Sequence, residues 1–154
     1  MIAYTEDKIG YFFADALSEV IKTTSGFSFD ISSPVSDSGL NEMTGIMCLY
    51  GNNPGMIILS ASEEAVRMIC AYMTGTPKND VTSADADDTL CELINMTAGN
   101  VKSRINDEQQ MYTLSTPFMI RGYSMKMLTK NRVTMITRVL KCDNLTLKLK
   151  IVFY

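Results

Sequence analysis

Histidine is absent from the chain. With it go the side chain that ionises nearest neutral pH, the commonest general base and the commonest nitrogen ligand for a metal. Ser-His and Cys-His triads are therefore excluded, and any chemistry rests on carboxylates, amides, hydroxyls, lysines or groups that a partner brings. Cysteine is sparse: Cys48, Cys70, Cys91 and Cys142 lie far apart with no CxxC pair, a pattern of reduced, mostly buried thiols rather than of a zinc site or disulfide framework. Apolar runs such as Met56 to Leu59 fall far short of the roughly 20 residues that cross a bilayer, so no membrane span is expected. Basic clusters are missing too, and the net charge is −3. The field that tracks nucleic-acid phosphates is thus lacking, and no DNA or RNA partner is expected. Met1 to Lys8 mixes acids with one lysine, unlike the basic start and apolar run of a signal peptide, which makes the cytoplasm the expected location.

What is present is the composition of a globular protein: 154 residues, 46% hydrophobic and 20% charged. That length suits one core, and a single domain over residues 1–154 is expected. From Glu6 to Thr23, Ile9, Phe13, Ala16, Leu17, Val20 and Ile21 recur at spacings of three and four, which predicts an amphipathic helix stopped at Gly26. Phe27 to Val35 alternates around Pro34 and reads as an edge strand or strand end, with a turn beginning at Gly39. Thr44 to Tyr50 and Met56 to Ser60 read as a hairpin across Asn52-Asn53-Pro54-Gly55, where Pro and Gly suit the centre of a type II turn. Ser62 is placed to cap a helix that ends at Gly75 and Pro77. A longer helix opens at Ser83 and runs to about Asn106, with acids at its start and Lys102 and Arg104 near its end. Met111 to Ser115, Ile120 to Leu128, Val133 to Cys142 and Leu145 to Phe153 read as strands, the last two as a long antiparallel hairpin, with turns at Lys130-Asn131 and Asp143-Asn144. The order helix, proline-bearing segment, hairpin thus occurs twice, and Phe27 to Gly39 resembles Met111 to Gly122. The fold class is α+β: two helix-plus-β-hairpin halves, with a mainly antiparallel sheet packed against long helices.

The second long helix carries a polar stripe. With Glu92 at zero on a wheel of about 100° per residue, Asp85, Asp88, Asn95, Gly99, Ser103 and Asn106 fall within about 60° of it. Leu90, Ile94, Val101 and Ile105 occupy the opposite side, so the stripe faces outward. Gly99 on that face costs about 1 kcal/mol relative to alanine and leaves a flat spot where another backbone can approach. Met96, about 40° from Glu92, stands beside the stripe, whereas the other methionines read mainly as core filler. Cys91 projects away from the stripe and reads as a buried or flanking thiol. Acids at Asp85, Asp87 and Asp88 are explained by the helix macrodipole, and no metal site is expected there.

ExxN alone is a weak signal, and a merely solvated face explains it equally well. The wider string from Asp88 through Glu92, Asn95, Gly99 and Asn100 to Lys102, followed by Pro117 and Gly122, is far more specific. It resembles the CheC, CheX and FliY family of chemotaxis phosphatases over nearly the whole chain, including the Leu59-Ser60 strand end and the Met73-Thr74-Gly75 helix exit. The resemblance implies a CheC-like fold and hydrolysis of the phospho-aspartate on a CheY-type response-regulator receiver. Glu92 would pair with the receiver's active-site lysine and Asn95 would orient the attacking water. Asp88, Met96 and Gly99 would contact the partner. The chain would need no cofactor of its own, since the receiver supplies Mg2+. Pro117 comes about one residue earlier than the family's spacing, and the first helix holds no second ExxN. One motif per chain, with a C-terminal strand pair able to extend a sheet, resembles the homodimeric CheX-type branch. The alternative is a non-catalytic dimeric module of the same fold that binds a receiver or a flagellar-switch protein. A small-ligand sensor is a third reading, for which no glycine-rich phosphate loop or other ligand motif is found.

Overall fold

A computed structural model describes residues 6–37, 39–104, 112–130 and 133–154. In chain order the elements are α1 (Glu6–Ser25), β1 (Asp30–Ile31), β2 (Gly39–Leu40), β3 (Met43–Tyr50), β4 (Gly55–Ala61), α2 (Glu63–Thr74), a 3-10 turn (Lys78–Asp80) and α3 (Ser83–Arg104). They continue as β5 (Thr113–Leu114), β6 (Phe118–Arg121), β7 (Met125–Lys126), β8 (Thr134–Cys142) and β9 (Leu145–Phe153). The large sheet is antiparallel in the order β1-β8-β9-β4-β3, with β5 and β6 both against the outer edge of β3. A two-stranded sheet joins β2 to β7.

Period-two alternation decides which face of the sheet is which. Met43, Met47, Ile57, Leu59, Leu147 and Leu149 turn to the helices and form one core with Leu17 and Ile21 of α1, Ile69 of α2 and Leu90 and Ile94 of α3. On the other face the strap at Asp37 is held by the fully buried Lys150, whose ammonium donates to the Asp37 carbonyl, and by the Lys148–Asp37 ion pair at 2.7 Å.

The expected mixed architecture is the one found, and its two halves interlock. The hairpins β3–β4 and β8–β9 meet through β4 and β9 at the sheet centre. Short strands cross between halves: β1 pairs with β8, β6 with β3, and β2 with β7.

Several local expectations need correction. Pro54-Gly55 is not the centre of a type II turn. Gly55 opens β4, paired with Leu49 on one side and Phe153 on the other, and a Cβ there would stand 2.2 Å from the Val152 carbonyl oxygen. Glycine is required by close backbone approach rather than by a positive φ. Gly39 belongs to β2 rather than to a turn. The strand expected over Phe27 to Val35 contracts to two residues, after which Ser32 and Val35 still donate singly to β8 carbonyls across Pro34. The run Ile120 to Leu128 is broken into β6 and β7 at Gly122 to Ser124, where Ser124 has a φ of 53°. The C-terminal strand pair enters the sheet by its inner side: β9 is paired on both edges, while β1 covers the outer edge of β8 only at Leu140 and Lys141, with single bonds further along at Val139 and Thr137. Expectations for Ile105, Asn106, Met111 and Asn131 lie outside the described residues.

Candidate functional site

The amino terminus of α3 is built by reciprocal capping. Asp85 N donates to Thr82 Oγ1 at 3.1 Å, and Thr82 N donates to the Asp85 carboxylate at 2.9 Å, which satisfies two otherwise orphaned amides. The cap is thus Thr82, one residue before the expected opening. The Thr82 amide, with the hydroxyl beside it, holds the Asp85 carboxyl below its usual range, so this acid serves the helix start.

Two features set where α3 sits. Under its middle, a Cβ on Gly45 of β3 would lie 2.4 Å from Ile94 Cδ1; the glycine makes the hollow into which Ile94 docks, and Ile94 lies between Glu92 and Asn95 in sequence. At its start, Arg121 at the end of β6 reaches Asp87 at 2.7 Å, Glu63 of α2 at 2.7 Å and the Ser83 carbonyl at 3.3 Å. Glu63 also takes Arg67 at 2.7 Å and the Ser83 hydroxyl at 2.8 Å. Hydrogen bonds from Arg121, then Arg67 and Ser83, lower the Glu63 pKa to about 2. This network ties a strand and two helices together immediately beside Asp88. Neither Gly45 nor Arg121 was legible in the sequence, because both meet α3 from distant positions with no local pattern.

On that mount Leu90, Ile94 and Val101 are buried, while Asp88, Glu92, Asn95, Gly99 and Ser103 are exposed. Among the described residues neither Glu92 nor Asn95 has a hydrogen bond or ion pair, and nothing stands within 4 Å of where a Gly99 Cβ would be. Met96 differs from the rest, being half-buried against the core and only partly available. Burial first, and then the charges of Asp88 and Asp87, push the Cys91 thiol up, which does not favour a thiolate nucleophile. Pro117, half-buried, directly precedes β6. An acid and an amide one turn apart, uncommitted and outward-facing, can insert into a pocket on another protein and need no residue of this chain rearranged to do so.

An antiparallel sheet with long helices on one face is the fold of CheC-like proteins. The CheC-like superfamily protein from Shewanella sp. PV-4 is 21% identical with a TM-score of 0.81, over 94% of this chain and 96% of its own. Chemotaxis protein CheX from Vibrio vulnificus is 17% identical with a TM-score of 0.82, covering 97% and 99%. The CheX chain of the CheX-CheY-BeF3-Mg+2 complex from Borrelia burgdorferi is 20% identical with a TM-score of 0.80, covering 93% and 96%. Among curated proteins none matches the chain. Residues 43–139, more than half of the sequence, match the family described as Chemotaxis phosphatase CheX, and the chain belongs to that family.

Proposed function

We propose that the protein stimulates hydrolysis of the phospho-aspartate on a CheY-type receiver domain. The observation that carries this reading is the exposure of Glu92 and Asn95, free of partners among the described residues, on a packed helix of a CheX-family chain. The Borrelia relative's complex with CheY and a beryllium fluoride group supports the choice of partner. Phosphoryl transfer asks the protein mainly for positioning and charge stabilisation, so the lack of histidine is no obstacle. The Asn95 amide holds a water in line with the phosphorus, as a glutamine does in GTPases. The water oxygen bonds to phosphorus while the bond to the aspartate oxygen breaks, releasing phosphate and restoring the receiver's carboxylate. Mg2+ arrives with the receiver and neutralises charge on the phosphoryl oxygens. Glu92 pairs with the receiver's lysine and fixes the register of the two proteins. Action as a homodimer in the cytoplasm completes the reading.

Asn95→Ala is expected to lower stimulated dephosphorylation about a hundredfold or more, while affinity for the beryllofluoride-loaded receiver stays within about twofold. Phosphate release from a phosphorylated receiver of the same organism measures the first and a titration the second. Unchanged turnover in this variant would exclude the assignment, and binding without any turnover by the unaltered protein would identify a non-catalytic module.

A further inference from the structure

Beside the Glu92 stripe lies a recess of about 200 Å3 between α2 and the first half of α3, lined by Cys70, Thr74, Thr76, Asp85, Asp88 and Thr89. Thr89 is only 7% exposed, yet its hydroxyl has no hydrogen-bond partner among the described residues. A helical threonine commonly returns its hydroxyl to the carbonyl four residues back. Here that carbonyl, on Asp85, is approached instead by the Cys70 thiol at 3.9 Å, and the Thr89 hydroxyl is left to the recess. The lining holds two carboxylates and no cation. Asp85 is engaged at its helix cap, whereas Asp88 is exposed and has no ion pair among the described residues. Nearby cations are occupied, Arg67 by Glu63 and Lys78 by Glu64. A hydroxyl with no protein partner, open to the recess on an otherwise buried residue and next to a free carboxylate, suits a group rich in N–H donors and positively charged, an ammonium or a guanidinium. Asp88 stands on the rim of the recess and also one turn before Glu92, roughly 6 Å along the same face. A receiver that sets a lysine against Glu92 lies over the mouth.

We propose that this recess takes a lysine or arginine side chain from the surface of the bound receiver, a second basic anchor that governs which receivers are accepted. The inference rests on the reading of the protein as a receiver phosphatase and adds a specificity site to it.

The test compares the unaltered protein with Thr89→Val, which keeps the volume and removes the hydroxyl, and with Asp88→Asn. Affinity for beryllofluoride-loaded receiver and turnover of phosphorylated receiver are measured separately, with circular dichroism to confirm folding. Each variant is expected to raise both Kd and KM about five- to tenfold, with kcat within twofold. Among receiver variants carrying single Lys or Arg to Glu changes, one is expected to weaken binding to the unaltered protein and to add nothing further to Asp88→Asn. Normal affinity in both variants overturns the recess and leaves the phosphatase reading standing. Tight binding without turnover overturns the phosphatase reading and leaves the recess, whereas no binding to any receiver overturns both. Spermidine or methylguanidinium binding the protein alone, sensitive to Thr89→Val while receiver affinity is not, would assign the recess to a free cation and overturn the docking role.

Discussion

At the scale of single residues, the face of α3 is notable for what its side chains leave undone. Glu92 spends its charge on nothing within the described residues. Glu92→Lys is therefore expected to cost the fold little while weakening receiver binding tenfold or more, since a paired charge becomes a like-charge clash. Titrations at low and high salt check this, and the difference between the two proteins should shrink as salt rises. Gly99 is exposed in a helix interior with open space above it. Gly99→Ala is expected to stabilise the protein by about 1 kcal/mol, raising Tm by about 2–4 °C. The same methyl would crowd an approaching partner, so the expected pairing of results is a higher melting temperature with a lower affinity.

At the scale of elements, α3 is positioned by contacts that hold its ends and its buried side. Arg121 links β6 to the starts of α2 and α3 through Asp87 and Glu63. The Glu63 carboxyl titrates near 2 in the folded chain rather than near 4.5. Because the folded value is the lower one, the stabilisation is fully present above the unfolded value and is lost as pH falls toward the folded one. Allowing for screening at this partly solvated site, it amounts to about 1–2 kcal/mol. Glu63→Gln is expected to lose that amount at pH 7 and to lack this component of the decline between about pH 5 and pH 2. Urea unfolding at pH 7 and pH 3 measures both.

At the scale of the whole molecule, the two halves exchange short strands, so neither helix-and-hairpin half can complete its own sheet edge. Lys150 belongs to this level, since it joins β9 to the strap from the other half. Burial lowers its pKa from 10.5. The unfolded chain then binds the proton more tightly, so stability rises with pH between the lowered value and about 10.5. Lys150→Met, similar in volume, is expected to remove that alkaline rise and to cost about 1 kcal/mol or more at neutral pH, because the Asp37 carbonyl loses its donor. Unfolding followed from pH 7 to pH 10 tests it.

The sequence by itself determined the helices, the two hairpins and the outward direction of Glu92 and Asn95, because periodicity, caps and apolar runs act within a few residues and leave a local pattern. Ser62, Gly75 and the Asp143-Asn144 turn all appear where such patterns place them. Only the tertiary structure decided that β9 lies inside the sheet, that Gly55 answers to the Val152 carbonyl, and that Gly45 and Arg121 hold the working helix. Those facts depend on residues tens of positions apart meeting in space, and a side chain carries no mark of a distant neighbour until the core brings the two together.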